Sequence, residues 1–199
     1  MREVEKETSG PGRPREFDEA EALSAIMNAF WKNGYEGTGL SDLVTATGVR
    51  KASLYKAFGN KHAMYLKALS HYDTLVVGAA VKALRNSERP AAQRIEAFLN
   101  APIAAIATGK GRQGCFLCNA AADRADLDAD TADMVASGYE RMTKALVVAV
   151  GDLESAPAVA ADAAALVMTV YSGLRIMARG AVPIEQLERA KNACLEAVL

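Results

Sequence analysis

Cysteine is scarce, three in 199 residues, and histidine scarcer, with two. Cys115, Cys118 and Cys194 do not make the dense framework that staples small secreted domains. His62 and His71 stand nine positions apart and far from the cysteines. That is not the spacing of a zinc site, and neither a metal nor a cofactor is expected. Alternating β-branched runs are missing, so no strand or hairpin competes with helix. The longest apolar stretch, around Ala156–Val170, is interrupted by Asp162 and falls short of a membrane span. Residues 1–16 are charged and lack the apolar core of a signal peptide. There is no phosphate loop, no His-Glu zinc helix and no nucleophile elbow. Net charge is missing too: 23 Lys and Arg against 24 Asp and Glu give −1, which taken alone argues against nucleic acid. The expectation is a soluble, cytoplasmic protein with no membrane partner.

What is present is helix former and a local excess of positive charge. Hydrophobic residues make up 51% of the chain, much of it alanine, which favours helices. From Val44 to Tyr72 there is no Asp or Glu, while Arg50, Lys51, Lys56, Lys61 and Lys67 supply five positive charges. A basic face on a near-neutral chain is the footprint that matters for phosphate. It coincides with Thr38–Lys61, TGLSDLVTATGVRKASLYKAFGNK. Two short apolar-periodic segments there flank Thr47-Gly48-Val49, and the second carries a polar, basic outer face. This is the pattern of a helix-turn-helix, in which a packing helix braces a helix that enters the major groove of duplex DNA.

Residues 1–16, with Gly10-Pro11-Gly12 and Pro14, read as a mobile arm whose Arg13 and Arg15 either reach a groove or are merely solvated. Asp18 is placed to cap a first helix whose Leu23, Ile26, Met27 and Phe30 form one stripe, with Gly34 as its stop. Trp31 and Tyr35 are expected to close the small core rather than stack on bases. The helix-turn-helix follows: about Leu40–Ala46, the turn, then Arg50–Phe58, with Leu43, Val49, Leu54 and Phe58 inside. Asn60 caps a long helix from Lys61 to about Leu84. Further helices are predicted at Pro90–Ile106, Leu117–Arg124, about Asp130–Leu153, Ala158–Arg179 and Ile184–Val198. The predicted architecture is all-α: an arm (1–16), an N-terminal three-helix unit (17–62) and a C-terminal helical bundle (63–199).

These residues resemble the TetR/AcrR family of transcriptional regulators. The resemblance is carried by Ala29-Phe30, Gly34-Tyr35, Thr38, Ser41-Asp42-Leu43, Gly48-Val49, Ser53-Leu54-Tyr55, Phe58 and Gly59-Asn60-Lys61. More weakly, Gly114–Ala121 and Tyr171-Ser172-Gly173-Leu174-Arg175 look like segments of the family's C-terminal domain. The resemblance implies a homodimer that places two recognition helices on a near-palindromic double-stranded operator, with a C-terminal cavity for a small-molecule effector not identified by the sequence.

Carried over by position, Thr38 and Ser41 begin the packing helix, where hydroxyls and free N–H groups suit a phosphate. Lys61 resembles the family's phosphate-binding lysine, and Tyr55 and Lys56 can reach the backbone. Arg50, Lys51 and Ser53 are candidates for base edges, or are ordinary solvated residues. Many relatives have an aromatic residue where this chain has Ala57, which puts more of the phosphate work on Lys56.

Cys115 and Cys118 form a Cys-x-x-Cys pair. Either they are small buried hydrophobes, or oxidation or electrophile attack on them switches the protein, helped by Lys110, Arg112 and a helix N-terminus. His62 is expected on an exposed first turn, and His71 in the core or lining the cavity. Tyr72, Phe98, Phe116, Met134, Tyr139, Met142, Met168 and Tyr171 are plain core or line the cavity. Apolar stripes on the last two helices (Leu166, Val170, Leu174, Met177; Leu187, Ala190, Cys194, Val198) either make a four-helix dimer interface or are buried inside the monomer, and the resemblance to the family implies the interface. The expected function is a DNA-binding regulator, not an enzyme: a repressor released by an effector or by modification of Cys115/Cys118. The alternative is a thiol-disulfide oxidoreductase, which the lack of a strand–helix context disfavours.

Overall fold

Asp18 starts the first helix as its spacing predicts. Its carboxylate accepts the backbone N–H groups of Ala20 and Glu21 at 2.7 and 3.2 Å, and α1 runs Glu19–Asn33. The computed structural model describes residues 17–109, 111–154 and 160–199. The predicted arm and Lys110 lie outside the described residues. Gly34 ends α1 at φ 75°. Helices α2 (Leu40–Thr47) and α3 (Lys51–Phe58) follow, joined through Gly48 at φ 67°, a left-handed turn that any side chain would strain. Leu43, Val49, Leu54 and Phe58 are all buried against Ile26, Met27 and Phe30. Each such side chain contributes about 1.5–3 kcal/mol on removal from water. Asn60 then caps α4 (Lys61–Tyr72), its amide oxygen accepting the Ala63 N–H at 2.8 Å.

The long fourth helix is not uniform. A π-helical turn, Asp73–Val77, interrupts it before α5 (Gly78–Leu84), and the Gly78 N–H reaches back five residues to the Asp73 carbonyl. The interruption falls where Asp73 is ion-paired with Arg141 of the neighbouring helix α8 (Ala129–Gly151). The remaining helices are α6 (Ala91–Ala107), α7 (Phe116–Asp123), α9 (Ala160–Arg179) and α10 (Ile184–Val198), with boundaries within two residues of those predicted, except that the predicted start of α9 at Ala158 lies outside the described residues. No strand occurs among the described residues. The all-α architecture is as expected.

One hydrophobic core runs from the helix-turn-helix unit into the bundle. Edge-to-face rings mark the crossing: Phe30 to Tyr65 at 5.2 Å, Tyr65 to Phe116 at 5.8 Å, and Phe116 to Tyr72 at 5.7 Å between centroids. Trp31 packs on Tyr72 at 5.0 Å. By length and composition α9 is apolar enough to cross a membrane, yet it packs as a bundle helix between α6, α8 and α10. The predicted interface stripes need correction. Leu174, Leu187, Cys194 and Val198 are buried within the subunit, because α10 folds back on α6 and α9. Leu166, from the predicted α9 stripe, and Ile176 face outward, 42% and 56% exposed, and the space beside Gly173 is open.

Candidate nucleic-acid interface and thiol site

The turn between α2 and α3 leaves the front of α3 projecting. Arg50 is its N-cap, in extended conformation, and Arg50, Lys51 and Lys56 are exposed. Ser53 is half-buried, and Tyr55 is 40% exposed with the Lys51 ammonium 5.8 Å from its ring centre. Ser41 is exposed in the first turn of α2, whose start is held by the Asp42 carboxylate accepting the Gly39 N–H at 2.7 Å. No acidic residue lies on α3. The fold therefore brings Ser41, Arg50, Lys51, Ser53, Tyr55 and Lys56 onto one short two-helix unit.

Thr38 does not belong with them. It is fully buried, and its hydroxyl donates to the Gly34 carbonyl at 2.7 Å, satisfying the end of α1. Its expected phosphate contact is thereby withdrawn: the hydroxyl is spent inside the fold. Lys61 is half-buried, with its ammonium 4.4 Å from the centre of the Tyr35 ring, a cation–π contact at the first turn of α4. His62 is less free than expected, since its Nε2 meets Asp128 at 3.0 Å. Asp128 also accepts a short hydrogen bond from Thr131, and these two partners, Thr131 first, hold its carboxyl below the usual range. His71 faces α1, with Nε2 3.1 Å from the Ser24 hydroxyl; it lines a surface cavity beside α1 and α3 rather than the one inside the bundle.

The two thiols sit at the start of α7. Cys115 is its N-cap and both are buried, 2% and 3% exposed. They are free thiols, each receiving a phenol: Tyr72 donates to Cys115 Sγ and Tyr139 to Cys118 Sγ, both at 3.3 Å. Hydrogen bonding from Cys118 is the main effect lowering Cys115 to about 6, against the opposing effect of burial; the Tyr72 phenol and the Arg175 charge assist. Cys118 is pushed up, first by that same hydrogen bond and then by burial. The cation that reaches the pair is therefore Arg175 from α9, not Arg112, which is exposed. Sequence spacing had no means of finding it, since sixty positions separate Arg175 from Cys115 and only the α7–α9 packing joins them.

The other end of α7 grips the helix-turn-helix unit. The Asp123 carboxylate accepts the Tyr35 N–H at 3.3 Å. Arg124 lies 3.9 Å from the Tyr35 ring centre and pairs with Glu36 at 3.3 Å. A cavity of about 240 Å³ opens between α5, α6 and α9, lined by Val76, Ala80, Phe98, Ala101, Tyr171 and Arg175 among others. Of the aromatic and Met side chains considered from sequence, Phe98 and Tyr171 line it, their rings stacked at 4.1 Å.

A family model described as bacterial regulatory proteins, tetR family, matches residues 22–68. The HTH-type transcriptional repressor ComR of Escherichia coli (strain K12) is 36% identical over 109 residues, 54% of this chain and 51% of that protein. The HTH-type transcriptional repressor BdcR of the same strain is 26% identical over 57% of each. The chain thus spans little more than half the length of these curated relatives. A solved structure of the TetR family transcriptional regulator CifR, a cysteine mutant complexed with 26-base-pair double-strand operator DNA, covers 94% of this chain and 100% of that one. It superposes at a TM-score of 0.74 with 31% identity. With a helix-turn-helix of this geometry and a whole-length relative at that identity, the chain belongs to the TetR family of DNA-binding transcriptional regulators.

Proposed function

We propose that the protein is a repressor that binds a near-palindromic operator as a homodimer, and that a small-molecule effector, or modification of Cys115 or Cys118, releases it. The observation that carries this reading is the span of α7: one eight-residue helix has the thiols at its start and the Tyr35 grip at its end. A rotation or shift of α7 reaches the helix-turn-helix unit without passing through any flexible element. Release then requires that effector or modified thiol favour the displaced α7 over the gripping one. ComR and BdcR are named as repressors, which supports the sign of regulation.

In this reading 17–62 is the DNA-binding unit and 63–199 the effector and dimerisation unit. Ser41, Tyr55, Lys56 and Lys61 hold phosphates, while Arg50, Lys51 and Ser53 read base edges. Residues Leu166, Gly173 and Ile176 form the dimer face, where the glycine admits close approach of a second α9. The protein acts in the cytoplasm, where its DNA is. Binding rather than turnover is favoured because thiols this buried offer no approach to a disulfide-bonded protein substrate.

Fluorescence anisotropy against the DNA upstream of its own gene tests the reading, with the thiols reduced and then oxidised, at several salt concentrations. Salt-sensitive binding to one palindromic segment is expected, weakened by oxidation and retained in Cys115→Ser. Absence of specific binding to any palindromic segment would sink the operator assignment. Binding indifferent to oxidation would confine release to small molecules.

A further inference from the structure

The cavity between α5, α6 and α9 is lined by more positive charge than protein carboxylates answer. Arg89, Arg94 and Arg175 all line it. Arg94 is committed elsewhere, to the Leu84 carbonyl at 2.7 Å and to Asp152 at 2.8 Å. Arg89 is exposed. Arg175 lies deeper, its Nε donating to the Tyr171 phenol at 3.0 Å and its guanidinium 5.1 Å from that ring's centre. Among the described residues no carboxylate pairs with Arg175. The groups that favour its charge are the Tyr171 and Tyr72 phenols and the Cys115 thiol. With Cys115 in its thiol form this guanidinium has no counter-charge from the protein, a costly state whose usual remedies are a carboxylate or a bound anion. Here the wall beside it is apolar: Val76, Ala80, Phe98 and Ala101.

We infer that the cavity takes a small apolar monocarboxylate, its acid group on Arg175 and its hydrocarbon or aromatic body against Phe98 and the alanine-lined wall. This rests on the reading of the protein as effector-responsive and names the chemistry of the effector. The planar guanidinium fork matches a carboxylate with two parallel hydrogen bonds. At about 240 Å³ the cavity is below the roughly 300–1,000 Å³ of drug-sized sites, which suits a short acid and excludes a nucleotide.

The same guanidinium supports the Cys115 thiolate. A bound carboxylate occupies that charge, so acid binding and thiolate formation oppose one another, and by reciprocity each weakens the other. Ligand and thiol are thus two inputs to one cation.

The test is calorimetric titration of the full-length protein with hexanoate, octanoate, phenylacetate and 4-phenylbutyrate, each against its primary amide. At least one acid is expected to bind tenfold or more tightly than its amide. Arg175→Gln should remove that difference, and Arg175→Lys should retain part of it. In the unmutated protein the bound acid should slow iodoacetamide alkylation of Cys115 several-fold. Should Arg175→Gln fail to fold by circular dichroism, Arg89→Gln and the alkylation rate decide. Equal binding of acids and amides, acid binding untouched by Arg175→Gln, or no acid binding at all would overturn the inference. An acid held by Arg175 that leaves the operator bound would uphold this site and defeat effector release. A neutral compound that frees the operator while every acid fails would do the reverse.

Discussion

Arg124 holds its guanidinium 3.9 Å from the centre of the Tyr35 ring, joining the C-cap of α7 to the residue that follows the stop of α1. Lys61 approaches the same ring at 4.4 Å, so Tyr35 touches both a cation at the end of α7 and one at the start of α4. If the contact carries regulation, it must also carry energy. A double-mutant cycle of Arg124→Ala and Tyr35→Leu, followed by urea unfolding, should return a coupling of about 0.5–2 kcal/mol. The Arg124→Ala protein should still bind operator while responding less to oxidation. Additive single mutants would show that the two residues are neighbours without a shared role.

Thr38 and Lys61 should separate cleanly although both sit near the DNA face. Thr38→Val leaves the Gly34 carbonyl without its 2.7 Å donor, a loss of about 1–3 kcal/mol in folding stability. The salt dependence of its operator binding should not change. Lys61→Ala should weaken binding to every DNA sequence about equally and reduce the slope of log K against log salt by roughly 1. Anisotropy titrations from low to moderate salt measure both. A reduced slope in Thr38→Val would restore the phosphate contact that burial withdraws.

That contrast shows what a sequence can and cannot carry. Local signals act over a few residues, and each was readable: Asp18 and Asn60 as caps, Gly48 as the turn, and Leu43, Leu54 and Phe58 as core. Thr38 stood at the right position beside the helix start, but whether its hydroxyl turned out or in depended on where the Gly34 carbonyl lay. Arg175 and Arg124 were illegible for the same reason on a larger scale. Their partners, Cys115 and Tyr35, lie sixty and eighty-nine positions away, and only tertiary packing makes them neighbours. The stripe on α10 left its cover open because periodicity marks a buried face without saying whether the cover is the same subunit or another.

Two glycines should fail on substitution for different reasons. Gly48 has open space where a Cβ would lie, so Gly48→Ala suffers only the left-handed backbone, about 1–2 kcal/mol, and Gly48→Asn recovers part of it. Gly138 has an ordinary helical backbone, but its Cβ would fall 2.8 Å from Leu117 Cδ2 and 3.3 Å from Asp73 Oδ1. Gly138→Ala should cost about 1–3 kcal/mol through overpacking, despite alanine's better helix propensity. The damage should fall on α7, seen as faster hydrogen exchange across Phe116–Asp123. A stabilised Gly138→Ala would mean that α7 can yield there at no cost.

Cys115 provides the pH test. Its thiol is lowered to about 6, chiefly by hydrogen bonding from Cys118, with the Tyr72 phenol and Arg175 adding to it against burial. Alkylation by iodoacetamide follows the thiolate fraction, so the Cys115 rate should rise through about pH 6 and level off above pH 7. An ordinary thiol keeps rising to about 8.5. Because both thiols are buried, the plateau rate also reflects how often the start of α7 opens. Arg175→Gln should move the inflection upward, and Tyr72→Phe should do so more strongly. The stability effect has a fixed sign: the folded value lies below the unfolded one, so the thiolate's contribution is full above the unfolded thiol value. It is lost as pH falls through about 6. Mass spectrometry of each cysteine across pH 5–9 resolves Cys115 from Cys118 and Cys194, which are both raised and should lag. If all three cysteines share one profile with an inflection near the ordinary thiol value, the Arg175–Cys115 link is void. The proposed opposition between bound acid and thiolate then loses its basis.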